Sequence, residues 1–250
     1  MLKTFSITDI GRKRQMNQDY VYSSEQPVGN LFNLFLVADG MGGHNAGEYA
    51  SRVTVETIVE MVRNSSETDP VCILEEAIQA ANALVRRRAA RFSWLEGMGT
   101  TVVAATCVEN RLYVANVGDS RLYVLNNKEI RQITRDHSWV EEMVQRGEIG
   151  REDARNHSNK NIITRAVGAE DTVKIDVFVV RLEAGDEILM CTDGLTNMLE
   201  DEEMRMILDG ARDVVEKAQE LVKAANEHGG RDNISVILIA DAVSENGEHI

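Results

Sequence analysis

Residues 100–125 of the chain read TTVVAATCVENRLYVANVGDSRLYVL. This stretch contains three runs rich in β-forming residues, at 100–108, 111–117 and 121–125, with only two or three turn residues between them. Links this short permit antiparallel hairpins, and they exclude the helical crossover that joins parallel strands. The middle of the chain is therefore predicted to form antiparallel β-sheet.

Outside this stretch, four more β-rich runs alternate with three helical patterns. The β-rich runs lie at residues 31–38, 173–180, 187–192 and 233–240. The helical patterns lie at about residues 47–62, after the capping pair Asp69-Pro70, and across residues 214–225. Runs of strands interrupted by pairs of helices predict an α+β protein in which helices cover stacked sheets.

The composition is that of a globular protein with a strongly acidic surface. The 250 residues include 27 lysines and arginines against 41 aspartates and glutamates, which gives a net charge of −14. Such a chain repels phosphate backbones and anionic lipid, so we expect neither nucleic acid nor a membrane as its partner. Without a linker or a repeat, residues 1–242 are predicted to form one domain, followed by a polar tail at 243–250.

The cysteines and the apolar runs bear on localisation. Cys72, Cys107 and Cys191 are odd in number and far apart, which is neither a disulfide framework nor a zinc site. No apolar run approaches the length of a membrane span, and the first residues do not resemble a secretory signal. These features predict a cytoplasmic protein with reduced thiols.

Aspartates recur at the ends of the apolar runs, each with glycine nearby. Asp39, Asp119 and Asp193 follow such runs, and Asp232 precedes one. A single Asp-Gly pair often marks only a turn. Four such sites from remote parts of the chain favour a cluster, and clustered carboxylates repel one another unless cations lie between them. Oxygen ligands alone predict hard cations, Mg²⁺ or Mn²⁺.

A basic segment lies near the start of the chain. Residues 11–19 read GRKRQMNQD and place guanidinium groups close to another aspartate. Arginine presents a planar fork that matches two phosphate oxygens, so an arginine beside a carboxylate–metal cluster suits the hydrolysis of a phosphate ester. The alternative is that these cations form a solvated surface loop.

Other phosphate-handling and nucleotide-binding designs are excluded by spacing. The chain has no Cys-x5-Arg, no Asp-x-Asp, no Asp-x-His, no P-loop and no His-Glu-x-x-His. The glycines of residues 40–43 could belong to a dinucleotide-binding loop, but Asn45 stands where that fingerprint requires a small residue. A dinucleotide-dependent oxidoreductase therefore remains a minor alternative.

A series of short motifs occurs in a fixed order along the chain. They are Arg14, Asn17-Gln18-Asp19, Asp39-Gly40-Met41-Gly42-Gly43-His44, Gly99-Thr100-Thr101, Val117-Gly118-Asp119-Ser120-Arg121, Asp136-His137-Ser138, Ile163-Thr164-Arg165-Ala166-Val167-Gly168, Thr192-Asp193-Gly194-Leu195 and Gly230-Arg231-Asp232-Asn233. In this order they resemble a known family, the PPM/PP2C metal-dependent protein Ser/Thr phosphatases. The resemblance spans residues 5–240, and the length is similar to that of the short single-domain bacterial members that oppose eukaryotic-like Ser/Thr kinases.

The resemblance implies a four-layer αββα fold, a central antiparallel β-sandwich flanked by helix pairs. It also implies two Mn²⁺ or Mg²⁺ ions per active site. Asp39 would bridge the two ions, the carbonyl of Gly40 would bind the second, and Asp193 and Asp232 would complete the first. Asp119 matches the aspartate that helps to hold a third, weaker ion in bacterial members.

The resemblance assigns two further site residues near the start of the chain. Asp19 would bind a metal or orient metal waters, and Arg14 would bind the phosphate. Gln18 and Met41 stand where eukaryotic members have an acidic residue and a proposed general-acid histidine, respectively. Bacterial members share both differences, so the general acid stays unassigned.

The reaction expected from this resemblance is direct hydrolysis of phosphoserine or phosphothreonine in proteins. A metal-bridging hydroxide would attack the phosphorus in line, and no covalent phosphoenzyme is needed. The expected partners are phosphorylated proteins, including a cognate kinase and its substrates, and the expected state is a monomer. The alternatives are a metal-stabilised module that binds phosphoproteins without hydrolysis, and a phosphatase acting on an anti-sigma-factor antagonist.

Residues 138–167 resemble the family's flap, a segment beside the active site that is expected to influence substrate choice. Ser138-x-x-Glu141 at its start also has the pattern of a helix capping box. His44, His137 and His157 are interpreted as structural or substrate-edge groups, since hard cations prefer oxygen. Ser120 and Arg121 are predicted to start a strand.

Overall fold

The computed structural model describes residues 2–43, 45–126, 129–209 and 212–241, with the side chain of Asp241 left out. His44 and the predicted tail at 243–250 lie outside the described residues. In chain order the elements are β1 (Leu2–Asp9), β2 (Asp19–Ser24), β3 (Leu34–Met41), α1 (Ala46–Asn64), α2 (Pro70–Arg91), a 3₁₀ turn (Ser93–Leu95), β4 (Gly99–Thr100), β5 (Val102–Val108), β6 (Arg111–Val117), β7 (Arg121–Asn126), β8 (Glu129–Gln132), α3 (Trp139–Gln145), α4 (Arg151–Asn156), β9 (Asp176–Arg181), β10 (Glu187–Cys191), α5 (Asp193–Thr196), α6 (Asp201–Leu208), α7 (Val214–Glu227) and β11 (Ile234–Asp241).

Two antiparallel sheets face each other. One has the strand order β1-β11-β10-β7-β8, and the other has the order β2-β3-β5-β6-β9, with β4 paired to β3. Phe35, Val103 and Leu112 of the second sheet pack with Leu122 and Ile237 of the first, in a core between the sheets. Stacked sheets normally share such an interdigitated inner layer.

Helices cover both outer faces of the sandwich. Residues of α1 and α2, including Ile58 and Ile78, pack on the sheet that contains β3. Residues of α6 and α7, including Met204 and Leu221, pack on the sheet that contains β11. The predicted four-layer αββα arrangement is therefore confirmed. Within the described ranges, every helix is too short or too polar to span a bilayer.

The predicted helices form where the local signals place them. The Asp69 side chain accepts hydrogen bonds from the backbone N–H groups of Val71 and Cys72, and Pro70 is the first residue of α2. The cap satisfies donors that have no partner inside the helix. Ser138 likewise caps α3 by accepting from the N–H of Glu141. The Glu141 carboxylate contacts Arg151.

The turn at residues 118–120 differs from the hairpin that its length permitted. It carries the chain from β6 in one sheet to β7 in the other, whereas the two-residue link 109–110 does close a hairpin. Gly118 has a φ of +105°, and a Cβ there would lie 2.6 Å from side-chain atoms of Thr101. A positive φ at a crowded position suits glycine alone. Arg121 begins β7 as predicted, and Ser120 belongs to the link.

Some strand boundaries were predicted wrongly. The run at 31–38 forms a strand only from Leu34, and that strand continues to Met41. The run at 100–108 is interrupted at Thr101, and the run at 173–180 begins at Asp176. Strands β1, β2 and β8 were not predicted. These three strands contain few fully buried residues, so the apolar pattern of their sequences is weak.

Candidate active site

Five strands bring the predicted aspartates to one edge of the sandwich. Asp39 lies near the end of β3 and directly faces Asp19 across the β2–β3 ladder. Asp119 lies in the link between the sheets, Asp193 begins α5 directly after β10, and Asp232 lies just before β11. The structure thus brings together carboxylates that are up to 213 residues apart in sequence, from Asp19 to Asp232.

Backbone and hydroxyl contacts hold Asp39 in place. Its N–H donates to the hydroxyl of Thr101 at 2.9 Å, and its carbonyl accepts from the N–H of Thr101 at 2.9 Å and from the hydroxyl of Thr100 at 2.7 Å. The Thr101 hydroxyl also contacts the hydroxyl of Ser120 at 2.7 Å. The Gly-Thr-Thr motif therefore anchors the main chain of Asp39 and leaves its carboxylate for other partners.

Asp19 is almost completely buried, and the hydroxyl of Thr192 binds one of its carboxylate oxygens. Its Oδ2 accepts from the hydroxyl of Thr192 at 2.8 Å, and the N–H of Ser235 donates to that hydroxyl at 3.0 Å. Its Oδ1 is buried and has no hydrogen-bond partner among the described residues. Burial raises the pKa of Asp19 to about 7. A buried, unpaired carboxylate oxygen costs free energy unless something binds it.

Asp193 and Asp232 have contrasting partners. Oδ2 of Asp193 accepts from the Asn197 amide at 2.8 Å, while its buried Oδ1 has no partner in the described part of the chain. Burial and the nearby Asp232 raise the pKa of Asp193 to about 6. Asp232 is bound by Arg14, whose Nη2 lies 2.7 Å from its Oδ2. Asp193 thus has one carboxylate oxygen without a partner among the described residues, whereas Asp232 is paired with a cation.

Burial and mutual repulsion act together on the remaining carboxylates. Burial raises the pKa of Asp39 well above its usual value, and the charges of Asp19 and Asp193 raise it further. Burial also raises the pKa of Asp119, with Asp193 the next largest cause. The aspartates are close enough to disfavour one another's ionisation, which is the state that a bound cation would reverse.

Gly40 allows the first turn of α1 to approach the site. A Cβ on Gly40 would lie 2.0 Å from the carbonyl oxygen of Gly47, and the Gly40 N–H donates to the carbonyl of Gln18 at 3.0 Å. Only a residue without a side chain fits between these backbones. This contact explains the glycine after Asp39 through packing, independently of any role as a ligand.

Asn233 anchors the loop that carries Arg14, although it was not among the predicted site residues. Its amide donates to the carbonyls of Ile10 at 3.0 Å and Met16 at 2.9 Å, and its Oδ1 accepts from the N–H of Gln18 at 2.8 Å. The signal was its position beside Asp232 in a motif already noted. A single side chain therefore ties the loop to the start of β11.

A cavity of about 680 Å³ leads from the aspartates to the flap. Asp119 and Asp193 line the cavity together with Arg155 and Lys160 of the flap and with Glu200. Arg155 forms an ion pair with Glu200, and burial together with Arg155 lowers the pKa of Lys160. The predicted flap thus lines the same cavity as two of the predicted site aspartates.

The predicted histidines differ in their surroundings. His137 is buried, and burial lowers its pKa, in agreement with a structural role. His157 packs against Trp139 with ring centres 5.2 Å apart.

The donor atoms at this edge of the sandwich suit a hard cation. The aspartates supply oxygen, two of them have buried oxygens without a partner in the described residues, and no cysteine contributes. Oxygen-only donors match Mg²⁺ or Mn²⁺. Within the described ranges, no three acidic, histidine or cysteine side chains already form a cluster that could hold an ion. The residue types fit hard cations, and one of the predicted donors, Asp232, is paired with Arg14 in the structure.

The fold and the site together define an αββα sandwich whose edge combines buried aspartates with an arginine. Comparisons with known proteins agree. The model of the family described as protein phosphatase 2C matches residues 10–238. The serine/threonine phosphatase stp of Listeria monocytogenes is 41% identical over 251 residues, which cover 96% of each chain. The chain belongs to the protein phosphatase 2C family.

Solved structures support the same assignment. The Mycobacterium tuberculosis serine/threonine phosphatase PstP/Ppp is 34% identical with a TM-score of 0.87, over 96% of this chain and 98% of that one. A structure of the catalytic domain of PstP in complex with two manganese ions is 34% identical with a TM-score of 0.84, over 96% of this chain and 97% of that one. The resemblance identified from the motifs is therefore confirmed.

Proposed function

We propose that this protein hydrolyses phosphoserine and phosphothreonine in proteins, using two Mn²⁺ or Mg²⁺ ions. The observation that carries the proposal is the convergence of aspartates from separate strands on one edge of the sandwich beside Arg14, with buried oxygens of Asp19 and Asp193 that have no hydrogen-bond partner among the described residues. Membership of the protein phosphatase 2C family and the two manganese ions of the PstP complex support it.

The site residues are proposed in the following roles. Asp39 and the carbonyl of Gly40 would hold the two ions, and Asp193 and Asp232 would supply further ligands to the first. Asp19 would bind a metal ion or orient its waters through Oδ1, which has no hydrogen-bond partner among the described residues, while its Oδ2 accepts from the hydroxyl of Thr192. Asp119 contributes to a third, weaker ion. All the proposed ligand atoms are oxygens, as hard cations require.

The chemistry divides between the cations and the chain. When bound, the cations supply an activated water and neutralise charge on the phosphoryl oxygens. Arg14 is 48% exposed at the rim, so its guanidinium can turn from Asp232 to two phosphate oxygens. The loop anchored by Asn233 keeps Arg14 within reach, which aligns the ester with the aspartates.

The biological setting is proposed from the same features. Acting on phosphorylated proteins, the enzyme would reverse a eukaryotic-like Ser/Thr kinase as a cytoplasmic monomer of one domain over residues 1–242. The net charge of −14 disfavours nucleic acid and anionic membranes as partners.

The test is phosphate release from a phosphothreonine peptide with Mn²⁺, with EDTA, and in the variants Asp193→Asn and Asp209→Asn. We expect metal-dependent turnover that falls by at least about 100-fold in Asp193→Asn, because a metal site supplies several kcal/mol of transition-state stabilisation. Asp209 is exposed at the end of α6 and serves as the matched control. A wild type that binds Mn²⁺ without turning over any phosphopeptide would instead be a binding module.

A further inference from the structure

His137 is joined to the link between the two sheets by a pair of hydrogen bonds. The N–H of Gly118 donates to its Nδ1 at 3.0 Å, and its own N–H donates to the carbonyl of Gly118 at 3.0 Å. The residue is only 4% exposed. Because Gly118 immediately precedes Asp119, this pair of bonds fixes the peptide unit from which the Asp119 side chain projects.

A second set of contacts fixes the ring itself. Nε2 of His137 lies 3.1 Å from Oδ2 of Asp176, and Nη1 of Arg165 donates to Oδ1 of Asp176 at 2.7 Å. Since Nδ1 accepts a hydrogen bond, the neutral ring carries its proton on Nε2 and donates it to Asp176. The order Arg165–Asp176–His137–Gly118 is thus a continuous chain of polar contacts that ends beside Asp119.

The other side of Asp119 is anchored in the same way. Arg121 makes a two-pronged contact with Asp136, with donor–acceptor distances of 2.9 Å from Nε and 2.7 Å from Nη2. Asp136 and His137 are neighbours, so one short segment holds the residues on both sides of Asp119. Both ring nitrogens of His137 are occupied, Nδ1 by the N–H of Gly118 and Nε2 by Asp176, so the ring is not placed to bind a cation itself.

We propose that His137 is a positioning residue: through Gly118 it sets the carboxylate of Asp119, and with it the affinity of the weaker cation site. The proposal rests on the proposed role of Asp119. A group that orients a ligand residue from behind typically changes metal affinity about 10- to 100-fold when it is removed. The contacts to Gly118 and to Asp176 make separable contributions, because they use different ring nitrogens.

Two amide side chains separate these contributions. Asparagine can place an acceptor near the position of Nδ1 but does not reach Asp176. Glutamine can place a donor near the position of Nε2 but offers no acceptor to Gly118. Asparagine is the smaller of the two and leaves the larger gap at this buried position, so a greater loss of metal affinity in His137→Gln than in His137→Asn would not come from packing. Thr106→Val is the control for stability alone, since Thr106 is buried at the far end of β5 and bonds to Asn33.

The experiment measures Mn²⁺ binding to each metal-free protein by titration calorimetry, together with hydrogen exchange of the Gly118 N–H by NMR. For His137→Gln we expect the weak binding phase to weaken about tenfold, tight binding to change less than about twofold, and Gly118 protection to fall. For His137→Asn we expect a weak phase within about threefold of the wild type. Adding Asp119→Asn should abolish the difference between the two variants.

Several results would overturn the proposal. One is an unchanged weak phase in His137→Gln, and another is a Thr106→Val protein that loses weak binding equally, which would reduce His137 to a stability role. A wild type with tight binding and turnover but no weak phase would overturn it while leaving the proposed function in place. A wild type that binds no Mn²⁺ at all would overturn both.

Discussion

Asp19 and Asp39 are direct partners in the antiparallel ladder of β2 and β3, so two carboxylates face each other at the edge of the sandwich. Like charges at opposed positions destabilise a sheet. Here burial raises the pKa of both groups, and each lies near further aspartates. The pair therefore destabilises the fold locally, as residues at functional sites often do.

Replacing Asp39 with asparagine is expected to raise the stability of the metal-free protein and to lower activity. Because burial and neighbouring aspartates raise the pKa of Asp39, the folded chain holds there either a proton that the unfolded chain releases more readily or a poorly solvated charge. Asparagine has neither cost, so the metal-free variant should melt about 2–6 °C above the wild type. Turnover with Mn²⁺ should fall at least about 100-fold. Thermal denaturation in EDTA and phosphate release measure the two effects, and a lower melting temperature would contradict the repulsion argument.

The stability of the metal-free protein is expected to fall as the pH rises. The pKa values of Asp19, about 7, and Asp193, about 6, are raised above those of the unfolded chain. Between the unfolded and folded pKa values the folded state binds more protons, so these two groups lower the stability progressively from about pH 4 to about pH 7. Denaturation in EDTA at about pH 5 and about pH 8 checks this sign.

Added Mn²⁺ should stabilise the protein more at about pH 8 than at about pH 5, because cations compete with protons for the same carboxylates. The comparison uses the melting temperature at equal Mn²⁺ concentration. Equal stabilisation at both pH values would indicate that the ion binds away from the raised aspartates.

Changing Arg14 is expected to affect catalysis and leave stability almost unaltered. Its ion pair with Asp232 is at the surface, with the arginine about half exposed, and such pairs contribute only about 0–1 kcal/mol. Arg14→Lys keeps the charge but loses the planar fork, so KM for a phosphopeptide should rise about tenfold. Arg14→Ala should also lower kcat. A lysine variant with wild-type kinetics would show that the charge alone suffices.

Substitution by alanine should destabilise the protein at Gly40 and leave its stability almost unchanged at Gly43. A Cβ on Gly40 would meet the carbonyl oxygen of Gly47 at 2.0 Å, whereas a Cβ on Gly43 has no atom within 4 Å. Gly40→Ala should push α1 from β3 and cost at least about 2 kcal/mol. Gly43→Ala should lie within about 0.5 kcal/mol of the wild type. Urea denaturation measures both, and equal losses would contradict the packing explanation.

Much of the fold was predictable, because it rests on local signals. The helix after Asp69-Pro70 and the hairpin around residues 109–110 follow from capping and from link length, and both form as predicted. The link at 118–120 was ambiguous, because a three-residue turn can close a hairpin or cross to a facing sheet. Which of these occurs depends on the strands that pair with β6 and β7, namely β9 and β10, and these lie more than 50 residues further along the chain.

The chain's chemistry could be read in order along the sequence. Asp39, Asp193 and Asp232 indicate oxygen donors for a cation, and Arg14 indicates a group that binds phosphate. Both follow from the sequence because this chemistry belongs to the side chain itself. The sequence alone also determined the motif order that identifies the family. It gave no sign of the three bonds of Asn233 or of the contact between His137 and Gly118.

The tertiary structure decided which of these groups meet. Register alone places Asp19 opposite Asp39, and the packing of distant strands brings Asp232 to Arg14, 218 residues away. The pKa shifts follow from the same packing, since burial and neighbouring charges exist only once the chain has folded. The sequence thus determined the chemical groups and the family, and the fold determined the distances and the dielectric surroundings through which those groups act.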